Sequence, residues 1–162
     1  MKLENPNGPI LYRQERVGHG GKLFTIYKFR TMIPDAERHT GAVLAAEDDP
    51  RVTKVGSFLR KRRLDELPQI FNVLRGEMSL VGPRPERPEF VQKFSSAMPD
   101  YLRRLEVKPG LTGWWQVSCP YHSPLEERVK YDTFYVENLS FPFDLKILLQ
   151  TPSVILRGRG EK

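Results

Sequence analysis

The sequence predicts an α+β fold: a compact, helix-rich single domain with a short N-terminal β-hairpin and amphipathic surface helices. Three observations predict it. A glycine cluster, Gly18-His19-Gly20-Gly21, runs into the aromatic and β-branched stretch Leu23-Phe24-Thr25-Ile26-Tyr27, which reads as a turn feeding a strand. Downstream, apolar residues recur at helical spacing, as at Leu67, Ile70, Phe71 and Leu74. Fourteen prolines and twelve glycines in 162 residues cut such helices into short pieces joined by stiff loops.

Residues 1–9 read as a flexible lead-in and residues 10–162 as the folded domain. Residues 10–12 form a short strand and residues 17–29 a hairpin. Lys28 and Arg30 alternate along an extended segment, so both face one side of it. Pro34 opens a short polar helix over 35–44, and Glu47-Asp48-Asp49-Pro50 is an acidic turn. Residues 51–63 hold six basic residues and no acid, with Val55, Phe58 and Leu59 as a narrow apolar face. Pro68 suits the first position of the next helix, which Gly76 stops. Residues 78–81 read as a short strand. Gly82-Pro83-Arg84-Pro85 is a non-helical loop, because two prolines fix two φ angles and restrict their neighbours. Helices follow over 88–97 and 100–106. Pro109-Gly110-Leu111-Thr112-Gly113 reads as a loop leading to a short apolar segment, 114–117. Ser123-Pro124-Leu125-Glu126 has the form of a capping box and starts a helix to about Val136. The last helix covers 143–149, with a break at Pro152 and a short piece to Leu156.

Composition bounds the function. With 39% hydrophobic and 28% charged residues the chain belongs with globular domains, not with disordered ones. A net charge of +6 favours anionic partners: nucleic acid, acidic headgroups or phosphorylated substrates. A single cysteine, Cys119, excludes an internal disulfide framework. There is no apolar run long enough to span a bilayer; the longest, 141–156, is interrupted by Asp144, Lys146, Gln150 and Pro152. The first residues are polar and carry no signal-peptide pattern. The histidines, His19, His39 and His122, share no ligand spacing, and no phosphate-binding glycine loop is present.

The residues that suggest chemistry are Asp65 and Glu66, just ahead of the Pro68 helix. A helix N-terminus carries partial positive charge and keeps carboxylates ionised and pointing outward. Arg60, Lys61, Arg62 and Arg63 precede them. An ionised aspartate among cations can attack phosphorus, since the cations offset its repulsion from an anionic substrate. The neighbouring glutamate can share a hard divalent ion such as Mg2+. Two carboxylates that merely complement the helix dipole would look the same. Arg84 is displayed between Pro83 and Pro85, and its fork suits phosphate; a solvated arginine in a proline-rich connector has the same sequence. Lys28 and Arg30 fit a phosphate site or a charge-protected strand edge.

Longer blocks narrow the choice. Gly8-Pro9, Arg13-Gln14-Glu15-Arg16-Val17-Gly18, Tyr27-Lys28-Phe29-Arg30-Thr31-Met32 and Asp49-Pro50-Arg51-Val52-Thr53 resemble the bacterial sugar transferase family. So do Arg60 with Leu64-Asp65-Glu66-Leu67-Pro68-Gln69, Met78-Ser79-Leu80-Val81-Gly82-Pro83-Arg84-Pro85, and Lys108-Pro109-Gly110-Leu111-Thr112-Gly113. Tyr131-Asp132, Tyr135-Val136 and Asp144-Leu145-Lys146-Ile147 continue the match.

These are the monotopic phosphoglycosyl transferases that start bacterial glycan assembly. The resemblance makes 10–162 their catalytic domain. It implies Asp65 as nucleophile and Glu66 as its acidic partner, both placed to hold Mg2+. It implies Lys28, Arg30, Arg60 and Arg84 as phosphate-binding cations, with Pro83 and Pro85 shaping the donor loop. The implied reaction moves a sugar-1-phosphate from a UDP-sugar to polyprenyl phosphate through a phospho-sugar aspartyl ester, releasing UMP. The implied setting is the cytoplasmic face of the bacterial inner membrane, with no nucleic acid involved. Two departures stand out. The membrane helix expected before Gly8-Pro9 is not within residues 1–7, and Cys119-Pro120-Tyr121 stands where many members carry Gly-Arg. The rival readings are a catalytically silent scaffold of a glycan-assembly complex and a basic nucleic-acid-binding module; the latter lacks any zinc, RNP-type or helix-turn-helix pattern.

Overall fold

The computed structural model describes residues 8–38, 41, 43, 49–120 and 123–156. Strands β1 (Leu11–Val17) and β2 (Leu23–Phe29) pair antiparallel, Leu11 opposite Phe29 and Val17 opposite Leu23. The turn passes through Gly20 and Gly21 at φ 64° and 79°, a region glycine enters without steric cost. The expected separate strand at 10–12 is the start of β1. The polar residues between Tyr12 and Val17 do not interrupt it, because an antiparallel ribbon tolerates a solvated face.

The expected helix over 35–44 is not formed through residue 38: residues 34–38 are turns and Asp35 takes φ 55°. Residues 39, 40, 42 and 44 of that stretch lie outside the described residues, as do Glu47 and Asp48 of the acidic turn and most of the lead-in. Helix α1 (Lys54–Lys61) is shorter than the basic run that announced it. Thr53 caps it, its hydroxyl accepting from Gly56 N–H at 2.9 Å, while its own N–H donates to the Thr31 carbonyl at 2.9 Å. That pairing fastens α1 to the segment after β2.

Arg63, at φ 52°, ends the basic stretch and starts a 3₁₀ helix, Leu64–Gln69, that runs into α2 (Ile70–Leu74). Pro68 therefore sits inside the 3₁₀ segment, not at the first position of an α-helix. Asn72 is fully buried and clamps α2 to the hairpin: it accepts from Tyr27 N–H at 3.3 Å and donates to the Thr25 carbonyl at 2.7 Å. The apolar stripe Leu67, Ile70, Phe71, Leu74 is exposed, so its periodicity marks an outer face and not the core.

Strand β3 (Ser79–Val81) runs parallel to β4 (Gly110–Thr112), Val81 opposite Thr112. The expected loop at 109–113 is thus partly strand. The two backbones approach so closely that a side chain at Gly82 would overlap the Lys108 carbonyl and one at Gly110 would overlap Gly82. Helix α3 (Pro88–Ala97) matches expectation, and residues Pro99–Leu105 form a 3₁₀ helix. Helix α4 (Trp114–Ser118) replaces the expected apolar segment. Helix α5 (Leu125–Glu137) begins with Pro124 as cap residue; no side chain caps it, so the Ser123 capping box is not made, and the Ser123 carbonyl instead accepts from Arg128 Nε at 2.8 Å.

Helix α6 (Phe141–Leu156) passes through Pro152 without a break. Buried Ile147 and Val154 on either side of the proline anchor it to the protein interior, which offsets the one hydrogen bond proline removes. Val81, Tyr135 and Ile147 form a core cluster, with Val107, Trp114, Val117 and Phe143 against it. Among the described residues no helix is long and apolar enough to cross a membrane.

Candidate active site

The 3₁₀ helix packs on β2 and turns Glu66 inward. Glu66 Oε1 lies 2.8 Å from Lys28 Nζ, carried on β2, and 2.8 Å from Arg84 Nη2, carried on the two-proline loop. Burial alone would raise the Glu66 carboxyl. The charges of Arg84, Lys28 and Arg63 outweigh it and hold the group well below the usual carboxylate range. The carboxylate is therefore ionised at neutral pH, at the centre of a cationic cluster.

Asp65 is beside it and, like Glu66, is only 4% exposed. This corrects the expectation of carboxylates pointing out from a helix N-terminus. The cause is local: the left-handed turn at Arg63 and the tighter 3₁₀ winding bury the pair and bring Glu66 to Lys28 of the hairpin.

The other expected cations divide. Lys28 and Arg84 meet at Glu66. Arg30 is buried at 9% exposure, with its guanidinium filling the space that a side chain at Gly8 would need. Arg60 Nε donates to Thr31 Oγ1 at 2.9 Å, and among the described residues no ion pair joins it to Glu66 or Asp65. Pro83 and Pro85 do frame a fixed loop. Four successive carbonyls each accept a hydrogen bond: Pro83 from Gly110 N–H (2.9 Å), Arg84 from Arg104 Nη2 (2.8 Å), Pro85 from Arg16 Nη1 (3.1 Å) and Glu86 from Val17 N–H (2.9 Å).

Sequence reasoning missed the layer behind the loop. Arg104 Nη2 lies 2.8 Å from Asp132 Oδ2, and Nη1 donates to Tyr101 Oη at 2.7 Å. Burial pushes the Asp132 carboxyl up to about 6, against the pull of Arg104. The Tyr131-Asp132 block was the available signal, but nothing in the sequence joins residue 132 to residue 104.

No group of three or more His, Cys, Asp or Glu side chains able to hold a metal occurs among the described residues. Asp65 and Glu66, consecutive in sequence and both buried, offer only carboxylate oxygens, the donor type that suits Mg2+, which binds through one or two carboxylates and completes its shell with water and substrate phosphate. A two-carboxylate donor set without histidine or cysteine does not suit structural zinc.

Glu66, the framed Arg84 and the strand residue Lys28 meet at one point, with Asp65 the preceding residue in the chain. The family model for bacterial sugar transferases matches residues 1–158. The chain belongs to the bacterial sugar transferase family. It is 46% identical, over its whole length, to the UDP-N-acetylgalactosamine-undecaprenyl-phosphate N-acetylgalactosaminephosphotransferase of Aeromonas hydrophila, covering 38% of that protein. It is 41% identical to the undecaprenyl-phosphate galactose phosphotransferase of Salmonella typhimurium, over 98% of the chain and 36% of the relative. It is 42% identical to the UDP-glucose:undecaprenyl-phosphate glucose-1-phosphate transferase of Escherichia coli, over 93% of the chain and 33% of the relative. The chain thus spans little more than a third of the length of these relatives. These relatives differ in the sugar they are named for and share undecaprenyl phosphate.

Proposed function

We propose that this chain is the catalytic domain of a phosphoglycosyl transferase that passes a sugar-1-phosphate from a UDP-sugar to undecaprenyl or a similar polyprenyl phosphate, an opening step of bacterial polysaccharide synthesis at the cytoplasmic face of the inner membrane. The observation that carries the reading is Glu66 Oε1 held between Lys28 and Arg84, one residue from Asp65.

An Asp65 carboxylate oxygen attacks the phosphorus bonded to the sugar. The bond from that phosphorus to the bridging oxygen breaks, and UMP leaves with the electron pair. Asp65 then carries the sugar phosphate as an acyl phosphate. An oxygen of polyprenyl phosphate attacks the same phosphorus and expels the Asp65 carboxylate, giving the polyprenyl diphosphate sugar. Glu66 fixes Lys28 and Arg84 at the reacting phosphate. Lysine carries three N–H donors and arginine five, more than one carboxylate oxygen consumes, so each can also donate to phosphate. Mg2+ bound by Asp65 and Glu66 would neutralise charge on the diphosphate. Because Asp65 is 4% exposed, the reaction requires the 3₁₀ segment, or the side chains over it, to shift when the donor binds.

Polyprenyl phosphate presents its phosphate at headgroup depth. Leu67, Ile70, Phe71 and Leu74 expose an apolar face contiguous in sequence with the dyad, and Arg62, Arg63 and Arg75 flank it. Apolar side chains entering the acyl boundary beside cations on anionic headgroups are what interfacial binding needs. The test of the reaction is UMP release from a panel of UDP-sugars, with a short-chain polyprenyl phosphate in detergent. At least one donor should release UMP and yield lipid-linked product; no release from any donor would overturn the reading.

A further inference from the structure

Arg104 and Asp132 lie behind the loop that carries Arg84. Arg104 belongs to the 3₁₀ helix Pro99–Leu105 and Asp132 to α5, and their side chains are 7% and 4% exposed. A buried ion pair is a weak source of stability, because desolvation offsets the attraction. It is a better source of orientation, since the guanidinium is a planar fork with donors in fixed directions. Here the fork has three oxygens to satisfy: Asp132 Oδ2, Tyr101 Oη and the Arg84 carbonyl. The third belongs to the residue whose guanidinium holds Glu66. Pro83 and Pro85 leave the backbone of Arg84 little freedom, so fixing its carbonyl fixes the direction in which its side chain leaves. Asp132, of the Tyr131-Asp132 block, finds in this arrangement a role that the dyad chemistry leaves unassigned.

We propose that Arg104, locked in place by Asp132, is a positioning residue that aims the Arg84 guanidinium at Glu66 and at the donor phosphate. The phosphate half of this rests on the phosphoglycosyl-transfer reading; the Glu66 half rests on geometry alone. Asp132 is the anchor, Arg104 the lever and the Arg84 carbonyl the point of contact.

Two readouts test it, on wild type, Arg104→Lys, Arg84→Ala and the double variant. Arg104→Lys keeps a positive charge opposite Asp132, but one ammonium cannot reproduce the planar fork. The first readout is the set of guanidinium NMR signals of Arg84. In wild type these should show the restricted rotation of an ion-paired guanidinium, and in Arg104→Lys they should average while the backbone spectrum stays folded. The second is kcat/KM for UMP release. Arg104→Lys should lose about 100-fold, the size expected when a reacting group is misplaced by about 1 Å. The double variant should lose no more than Arg84→Ala alone, to within about twofold. Asp132→Asn, which leaves Arg104 without its counter-charge, should act in the same direction if the lysine variant fails to fold. Unchanged Arg84 signals, or losses from the two sites that multiply, would overturn the proposal. Should wild type release no UMP, the phosphoglycosyl-transfer reading falls, and the NMR comparison still decides whether Arg104 positions Arg84.

Discussion

Glu66→Gln is the sharpest perturbation of the cationic cluster, because glutamine keeps the shape and one acceptor oxygen while it removes the charge and turns the other oxygen into an N–H donor. In the native protein one carboxylate oxygen serves Lys28 and Arg84 together, each at 2.8 Å. Their side chains are 15% exposed and that of Glu66 5%, so water compensates little when the charge is lost. Removing one partner of a buried pair costs about 3–5 kcal/mol; with both cations retaining some solvent, about 3 kcal/mol is the expected loss. For a domain of this size that lowers Tm by about 6–12 °C.

The loss should depend on pH in one direction. The folded pKa of Glu66 lies well below its ordinary value of 4.5. Its stabilisation is therefore complete above the unfolded pKa and disappears as pH falls through the folded one. Thermal unfolding followed by circular dichroism, from neutral pH down to the acid limit of folding, should show wild type and variant separated at neutral pH and converging below 4.5. Equal Tm values at pH 7, or a gap that widens in acid, would refute the cluster as described.

Two further substitutions probe the scaffold and the apolar face. Asn72→Ala removes a fully buried amide that accepts from Tyr27 N–H and donates to the Thr25 carbonyl; it should cost about 2–3 kcal/mol and speed amide exchange in β2 before α5, and uniform exchange across both elements would contradict that placement. Phe71→Asp with Leu74→Asp, at positions 59% and 77% exposed, should leave Tm near that of wild type and weaken flotation with anionic liposomes about tenfold or more; undiminished flotation would remove α2 from the membrane contact.

The elements legible in the sequence were those whose causes are local. Gly20 and Gly21 announce the hairpin turn because two successive residues must take positive φ. The helix expected over 88–97 is α3, with Pro88 in its first turn, where a missing N–H costs nothing. What could not be read depends on distant partners. Strand β4 exists because Gly82 and Gly110 let two backbones approach, and neither glycine advertises the other. The stripe on Leu67, Ile70, Phe71 and Leu74 revealed an apolar face, but periodicity does not say whether protein or something else covers it.

The site divides in the same way. Lys28, Glu66 and Arg84, named separately from their motifs, come together at one carboxylate oxygen. The burial of Asp65 followed from a left-handed residue and a 3₁₀ turn that composition does not encode, since Arg63 gives no sign of its φ of 52°. Arg60, picked out for its place upstream of the dyad, instead bonds Thr31. The Arg104–Asp132 pair joins residues on two separate helices, which no local pattern could connect.

The most direct measurement is intact-protein mass spectrometry after incubation with a UDP-sugar that supports UMP release, with Mg2+ and without acceptor. The protein should gain the mass of one sugar phosphate, localised to Asp65 by peptide mapping, and should lose it when polyprenyl phosphate is added; Asp65→Asn should stay unmodified and inactive. UMP release without any adduct, together with full turnover by Asp65→Asn, would contradict the covalent account.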